Sequence, residues 1–82
     1  MTDDDILTRI QSVMMDVLDL DDLQINEKTT AQDVEGWDSL SHLRLITEIE
    51  AEFGVTFLTG EIERFKEAGD MVRTINEKLQ RR

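Results

Sequence analysis

The stretch Gly36-Trp37-Asp38-Ser39-Leu40 places a serine hydroxyl among residue types that begin a helix. Asp38 is a good N-cap, and helical hydrophobic spacing follows it, so Ser39 is expected in the first helical turn. Free amide N–H groups and the helix dipole make this position favourable for a phosphate. Ser39 is therefore a candidate for carrying a phosphodiester. The Asp38 carboxylate would repel that group unless a divalent cation bridged the two during modification. The alternative is that the Asp-Ser pair only begins a helix.

A second candidate chemistry is hydrolysis, because Ser39 and His42 lie three residues apart. A serine nucleophile needs a base, a group that orients the base, and oxyanion donors. The strained GxSxG turn that presents such a serine is missing from the sequence. The spacing instead favours His42 as a partly buried polar residue on the core side of a helix.

Metal and thiol chemistry are disfavoured by residue types and spacing. The acidic run that begins at Asp19 suggests a calcium loop, but its sixth position is Gln24 and its twelfth is Thr30, where glycine and glutamate are needed. The chain has no cysteine and one histidine. These counts exclude a disulfide framework, a thiolate zinc site, a cysteine nucleophile and a multi-histidine metal centre.

The overall charge excludes several classes of partner. The 82 residues include 9 basic and 19 acidic side chains, which gives a net charge of −10, and residues 1–38 alone hold eleven acids and two bases. Nucleic acids and anionic membranes need basic faces. No apolar run approaches the ~20 residues of a membrane span, and the acidic start is unlike a signal peptide. We expect one cytoplasmic, monomeric domain over residues 1–82, without nucleic-acid binding or membrane insertion.

The hydrophobic periodicity predicts an all-α four-helix bundle, with three longer helices and a short third one. Thr2 and Asp5 form a capping-box pattern before the first apolar stripe. A long loop over residues 19–37 separates the first helix from the second, which begins at Asp38-Ser39 and ends before Gly54. The apolar stripe of the first helix consists of Ile6, Leu7, Ile10, Val13, Met14, Val17 and Leu18.

The second half of the chain predicts an extended connection over residues 55–58 and two further helices. Thr59 is a candidate cap for the short helix, at about residues 60–66, which would bury Ile62 and Phe65. The Gly69-Asp70 pair would break the chain and start the last helix, whose positive C-terminal residues suit the helix dipole. The buried stripe of that helix would be Met71, Val72, Ile75 and Leu79, and its terminal cations Lys78, Arg81 and Arg82.

The second helix has two faces at about 100 degrees per residue. One face predicts core packing, and the opposite face predicts exposure. The inward set is His42, Leu45, Ile46, Ile49 and Phe53, and the outward set includes Leu40, Arg44, Thr47 and Ala51, with Leu43 at the border.

The motifs, taken with their distances in an acidic chain of this length, resemble the acyl carrier protein family. The resemblance is strongest over residues 33–79. It is carried by Asp38-Ser39-Leu40, Leu45-Ile46, Ile49-Glu50, Glu52-Phe53-Gly54-Val55 and Ala68-Gly69-Asp70.

The resemblance implies a carrier and not an enzyme. Ser39 would receive 4′-phosphopantetheine from coenzyme A through a phosphodiester, in a reaction of a separate phosphopantetheinyl transferase that uses Mg²⁺ only during modification. Asp38 would assist that reaction. The thiol of the arm would hold acyl groups as thioesters and shuttle them between enzymes, so the missing cysteine is compatible with the role.

The resemblance also implies that the second helix docks acyl-loading and acyl-processing enzymes with basic patches. The cargo and pathway stay open among fatty-acid-like, lipid and secondary-metabolite synthesis. Two alternatives are an aminoacyl or D-alanyl carrier with the same arm, and an acidic helical interaction module that never carries it. The docking residues would be Leu40, Leu43, Arg44, Thr47, Glu50 and Ala51.

Three positions depart from the pattern of the fatty-acid-synthesis members. Arg44 and Ala51 stand where an acid is usual, and Thr47 stands where methionine is usual. The docking face is therefore less negative and less apolar. Trp37 is more familiar in stand-alone carriers of secondary metabolism, and it is expected to pack the loop against the second helix. Together these departures favour a specialised pathway.

Overall fold

A computed structural model describes residues 1–81 as four α-helices, and Arg82, with its predicted place at the last helix end, lies outside the described residues. No strand forms within residues 1–81, although Thr30 and Glu67 pair in one antiparallel bridge. The predicted all-α arrangement of three longer helices and one short helix is confirmed. Its elements are α1 (Asp3–Leu18), a 3₁₀ turn (Ala31–Asp33), α2 (Ser39–Phe53), α3 (Thr59–Glu63) and α4 (Ala68–Gln80).

The core lies where α1 packs against α2 and α4. The predicted apolar stripes supply it, together with Val34 from the long loop and Phe57 from the connection after α2. Burial of such stripes removes apolar area from water, which is the main favourable contribution to folding. The fully buried large side chains are Ile6, Ile10, Met14, Leu45, Ile49, Met71, Val72 and Ile75.

The ends of α1 and α2 follow the predicted capping chemistry. Thr2 accepts a hydrogen bond from the Asp5 amide at 3.1 Å, and the Asp5 carboxylate accepts one from the Thr2 amide at 3.2 Å. These reciprocal bonds satisfy two otherwise unpaired donors. At the far end of α2, Gly54 has φ +66° and ends the helix in the left-handed conformation that glycine tolerates.

The long loop over residues 19–37 is held against α1 and α4 by hydrogen bonds. The Gln11 side chain of α1 accepts a hydrogen bond from the Ile25 amide at 3.0 Å. The amides of Ala68 and Gly69, at the start of α4, donate to carbonyls of the loop at 2.8 Å each. The loop is thereby a fixed part of the fold and presents the start of α2 in one orientation.

Two predicted helix starts are wrong. Thr59 does not cap α3: it is the first helical residue, and Leu58 is the N-cap, with its amide bonded to the Glu61 carboxylate at 2.8 Å. The helix also ends at Glu63, so the predicted range of about 60–66 is too long, and the predicted burial of Ile62 and Phe65 is only partial.

Gly69 is a buried residue inside α4 and does not break the chain before it. The helix starts at Ala68, one residue before Gly69. It can begin there because carbonyls of the long loop accept hydrogen bonds from the amides of Ala68 and Gly69, the first two residues of the helix. Within residues 1–81, no helix is long and apolar enough to cross a membrane.

Candidate functional site

The first turn of α2 is built by reciprocal hydrogen bonds between Asp38 and Ser41. The Asp38 Oδ1 accepts from the amides of Leu40 and Ser41 at 3.1 and 3.0 Å, and the Asp38 amide donates to Ser41 Oγ at 2.8 Å. The Ser41 hydroxyl donates in turn to the carbonyl of Gly36 at 2.6 Å. This network fixes the backbone on both sides of Ser39.

The same bonds determine the charge beside Ser39. Above all, the hydrogen bond from the Ser41 backbone amide lowers the pKa of the Asp38 carboxyl below its usual value, because it favours the ionised form. Asp38 is therefore a carboxylate at neutral pH. A carboxylate at this position can bind Mg²⁺ together with a phosphate oxygen, as Mg²⁺ sites in proteins commonly do.

Ser39 is exposed and follows directly after this cap. Its backbone amide is one of the first-turn donors that have no acceptor within the helix. Within residues 1–81, no hydrogen bond engages its hydroxyl. Ser39 thus presents a free oxygen nucleophile at the positive end of a helix dipole.

Trp37 and His42 form the wall behind the serine. Trp37 is only 5% exposed, which confirms that it packs the loop against α2. Its indole Nε1 donates to His42 Nδ1 at 3.0 Å, and the two rings stack with centroids 6.0 Å apart. Burial lowers the pKa of His42 below its usual value, so the neutral imidazole accepts this bond. His42 is half-buried on the core side of α2, as predicted.

A groove of about 500 Å³ opens beside Ser39, and its walls are mainly apolar. One side is the N-terminal half of α2, and the other comes from the 3₁₀ turn and the segment that follows α3. The residues that line it are Ala31, Trp37, Asp38, Ser39, His42, Leu43, Phe65 and Lys66.

The outward face of α2 is open to solvent. Leu40 is 80% exposed and Leu43 is 60% exposed, and Arg44, Thr47 and Ala51 are also exposed. Large apolar side chains that remain this exposed are typical of surfaces that meet other molecules.

Glu50 behaves differently from the other predicted docking residues. It is half-buried, and its Oε2 accepts a hydrogen bond from the Phe57 amide at 2.7 Å. Part of its carboxylate therefore holds the connection after α2 against the helix, a contact that the sequence did not indicate.

The donor set around Ser39 fits a phosphopantetheine arm. The serine oxygen is free, the helix end favours an anion, and the groove offers apolar walls for the dimethyl-bearing part of the arm. Asp38 would hold the Mg²⁺ of the modifying reaction.

Two groups at this site were missed at the level of sequence. Ser41 had a signal, because it stands three residues after Asp38, the spacing of a capping box. Lys66 had none, because it lies 27 positions after Ser39 and reaches the groove only through the packing of α3.

Comparisons with known proteins relate the whole chain to phosphopantetheine-bearing carriers. The family model described as a phosphopantetheine attachment site matches residues 8–75. The acyl carrier protein of Thermotoga maritima is 32% identical over 76 residues, which cover 93% of this chain and 94% of that protein. The acyl carrier protein of Caulobacter vibrioides is 34% identical over 74 residues, or 90% and 95% of the two chains.

A solved structure is similar in fold as well. The solution structure of the holo acyl carrier protein from Geobacter metallireducens has a TM-score of 0.84 and 33% sequence identity. The similarity covers 92% of this chain and 86% of that one.

Proposed function

Because this chain belongs to the acyl carrier protein family, we propose that Ser39 is the residue that carries its phosphopantetheine arm. The family membership establishes a carrier with a covalent phosphopantetheine group and no enzymatic activity of its own. The observation that supports Ser39 is its exposed, unengaged hydroxyl at the start of α2, at the edge of the groove. The matched residues 8–75 include this position.

Ser39 has one chemical task in the modification. A bond forms between Ser39 Oγ and the phosphorus of coenzyme A that bears the pantetheine. The bond from that phosphorus to the nucleotide half breaks, the hydroxyl proton passes to a base of the transferase, and the nucleotide leaves. Asp38 would hold the Mg²⁺ of the reaction, and the positive charge of that ion would offset the repulsion between the Asp38 carboxylate and the phosphate.

When bound, the arm supplies a thiol on which acyl groups are held as thioesters. The chain contributes no thiol, since it has no cysteine. Its own residues attach the arm, keep the start of α2 rigid and present a face to other enzymes.

We propose the outward face of α2 as the docking surface for the transferase and for acyl-loading and acyl-processing enzymes. The exposure of Leu40 and Leu43 supports this proposal. Glu50 contributes less to it than its position suggested, because its carboxylate is engaged by the Phe57 amide. Arg44, Thr47 and Ala51 complete the surface and make it less negative than an acid-rich face.

The pathway that this carrier serves is proposed to be a specialised one and not bulk fatty acid synthesis. Arg44 supports this, because it is exposed and forms no ion pair within the described part of the chain. A cation there would repel partners with basic docking patches. An aminoacyl or D-alanyl cargo is the competing proposal. Loading assays with the corresponding adenylating enzymes would distinguish the two. The monomeric state and the cytoplasmic location stay predictions.

The experiment that tests the attachment site is intact mass analysis after incubation with coenzyme A, Mg²⁺ and a broad-specificity phosphopantetheinyl transferase. We expect the wild type to gain the mass of one phosphopantetheine group and the Ser39→Ala variant to gain none. Ser12→Ala, which removes an exposed hydroxyl from α1, is the matched control and should still be modified. A gain on Ser39→Ala would move the attachment to another residue. No gain on a folded wild type would instead favour the unmodified interaction module.

A further inference from the structure

Lys66 stands out among the basic residues because it lines the same groove as Ser39. It forms no ion pair within residues 1–81, whereas Arg9, Arg73, Lys78 and Arg81 are each paired with an acid. Because the chain has a net charge of −10, it holds many acidic side chains with which Lys66 could pair. Lys66 instead lies at the groove beside Ser39 without an acidic partner among the described residues.

The attachment of an arm creates an electrostatic problem at this place. A phosphodiester on Ser39 adds a negative charge next to the Asp38 carboxylate, its neighbour in the chain. Any Mg²⁺ that Asp38 would hold serves only the modification by the transferase. After it leaves, the two like charges repel each other in a chain that is already acidic.

We propose that Lys66 binds the phosphodiester of the arm and thereby holds the first part of the arm along the groove. This inference rests on the proposed attachment at Ser39. The Asp38 carboxylate and the phosphodiester are both negative, and the ammonium of Lys66 supplies the positive charge that is missing beside them. A hydrogen bond between this ammonium and a phosphate oxygen is charge-assisted and therefore stronger than a neutral one. The apolar walls formed by Trp37 and Phe65 then contact the carbon part of the arm.

Other cations nearby are less suited to this role. Arg64 lines a different cleft, which it shares with Glu61 and Asp70. Arg44 does not line the groove. Among the residues that line the groove, Lys66 is the only lysine or arginine.

The test is phosphorus-31 NMR of the holo protein, in which the arm's phosphodiester is the single phosphorus atom. The chemical shift of that atom responds to its hydrogen bonds and its counter-ion. The variants are Lys66→Met, which keeps the length of the side chain but removes the charge, and Lys66→Arg, which keeps the charge. Arg64→Met is the control, because it removes an equal charge from the neighbouring cleft.

We expect Lys66→Met to move the phosphorus resonance by more than its linewidth, and both Lys66→Arg and Arg64→Met to leave it near the wild-type position. Salt at about 1 M reduces the screening length to about 3 Å. It should shift the wild-type resonance towards that of Lys66→Met and change the variant less.

The possible outcomes separate this inference from the attachment itself. If the mass gain occurs but Lys66→Met and wild type give the same resonance, the inference is overturned while Ser39 keeps its role. An equal shift in Arg64→Met would also overturn it, because the effect would then belong to net charge alone. Absence of any mass gain counts against the attachment site. Folding is checked by circular dichroism. The Lys66 backbone amide donates to the Asp70 carboxylate at 3.0 Å, and none of these substitutions removes either group.

Discussion

At the scale of single residues, the side chains around Ser39 divide into those that shape the backbone and those that stay free to react. Asp38 and Ser41 bind each other and fix the first turn of α2. Ser39 between them has an exposed, unengaged hydroxyl. Trp37 and His42 close the wall behind it through one hydrogen bond. The free hydroxyl therefore sits on a rigid frame, which is what a transferase needs in order to reach it reproducibly.

The Trp37–His42 bond predicts a pH dependence of stability. Burial lowers the pKa of His42 in the folded state, so the unfolded chain binds more protons over that range. The effect of His42 on the free energy of unfolding is therefore most favourable above its unfolded-state pKa of about 6.5. The free energy of unfolding falls as the pH drops from there towards the lower pKa of His42 in the folded state. Protonation would turn His42 Nδ1 into a donor and leave the buried indole N–H without its acceptor.

Urea unfolding of the wild type and His42→Gln at about pH 7.5 and 5.5, on either side of that reference value, measures the effect. The amide oxygen of glutamine can accept from Trp37 but does not titrate. We expect the wild type to lose stability relative to His42→Gln on acidification, by at most about 1.4 kcal/mol per pH unit. Asp38 and Lys66 line the same groove in the wild type and in His42→Gln. The effect of their charges on stability is therefore common to both proteins and drops out of the difference. A constant difference between the two proteins would contradict the prediction.

At the scale of elements, contacts between helices and connections decide where the site lies. The long loop is held by α1 and α4, and it delivers Trp37 and Asp38 to the start of α2. The connection after α2 is held by the bond between the Phe57 amide and Glu50. The ion pair between Lys78 and Glu61, at 2.9 Å, then holds α3 against α4. These links bring Phe65 and Lys66 opposite Ser39.

The contact between Gly69 and the long loop leaves little room for a side chain. The amide of Gly69 donates to the carbonyl of Glu27 at 2.8 Å, and a Cβ at position 69 would lie 2.8 Å from that same oxygen. We expect Gly69→Ala to destabilise the fold by about 1–3 kcal/mol, the usual cost of overpacking, because a backbone carbonyl cannot move aside cheaply.

Gly60→Ala is the matched control, since a Cβ there meets no atom within 4 Å and the residue is also helical. It should stabilise the protein by about 0.4–1 kcal/mol through the unfolded chain. Denaturant unfolding of both variants measures the contrast, and equal effects of the two substitutions would rule out a specific contact at Gly69.

At the scale of the whole molecule, the negative charge lies mostly in the first half of the chain, and the outward face of α2 is less negative. The net charge of −10 attracts partners with basic patches over long distances. On the proposed docking surface, Arg44 is exposed and forms no ion pair within residues 1–81, so it would interrupt that attraction locally. Under this proposal the overall charge would favour encounter with basic enzymes, and the local charge would select among them.

Reversal of this charge tests the proposed specialisation. We expect Arg44→Glu to bind a fatty-acid-synthesis acyltransferase with a basic docking patch a few-fold more tightly, since an exposed ion pair contributes about 0.2–1 kcal/mol. Arg64→Glu makes the same change of net charge away from this face and should have less effect. Affinities from calorimetry at low and high salt provide the measurement. If Arg44→Glu binds like the wild type, the argument from Arg44 for a specialised pathway is lost.

The four helices and the candidate serine could be predicted from the sequence because they depend on local rules. Periodic apolar residues, the Asp38 cap and the Gly54 terminus act within a few positions of the chain, so their spacing already fixes which side chains lie inward. The start of α4 was misplaced because a contact from another part of the chain decides it: carbonyls of the long loop accept hydrogen bonds from the amides of Ala68 and Gly69. The cap of α3 was misplaced although its bond is local, because the Glu61 carboxylate binds the Leu58 amide and makes Leu58 the N-cap.

The groove and its cation belong to the tertiary structure alone. Lys66 and Ser39 are far apart in the chain, and nothing in either local sequence pairs them. They line one groove because the packing of α1 against α2 and α4, together with the Lys78–Glu61 ion pair, fixes the segment after α3 beside the start of α2. The sequence by itself determined the candidate attachment serine and the helix that bears it. What surrounds that hydroxyl was decided by packing between elements, since only burial of their shared apolar surface brings distant residues together.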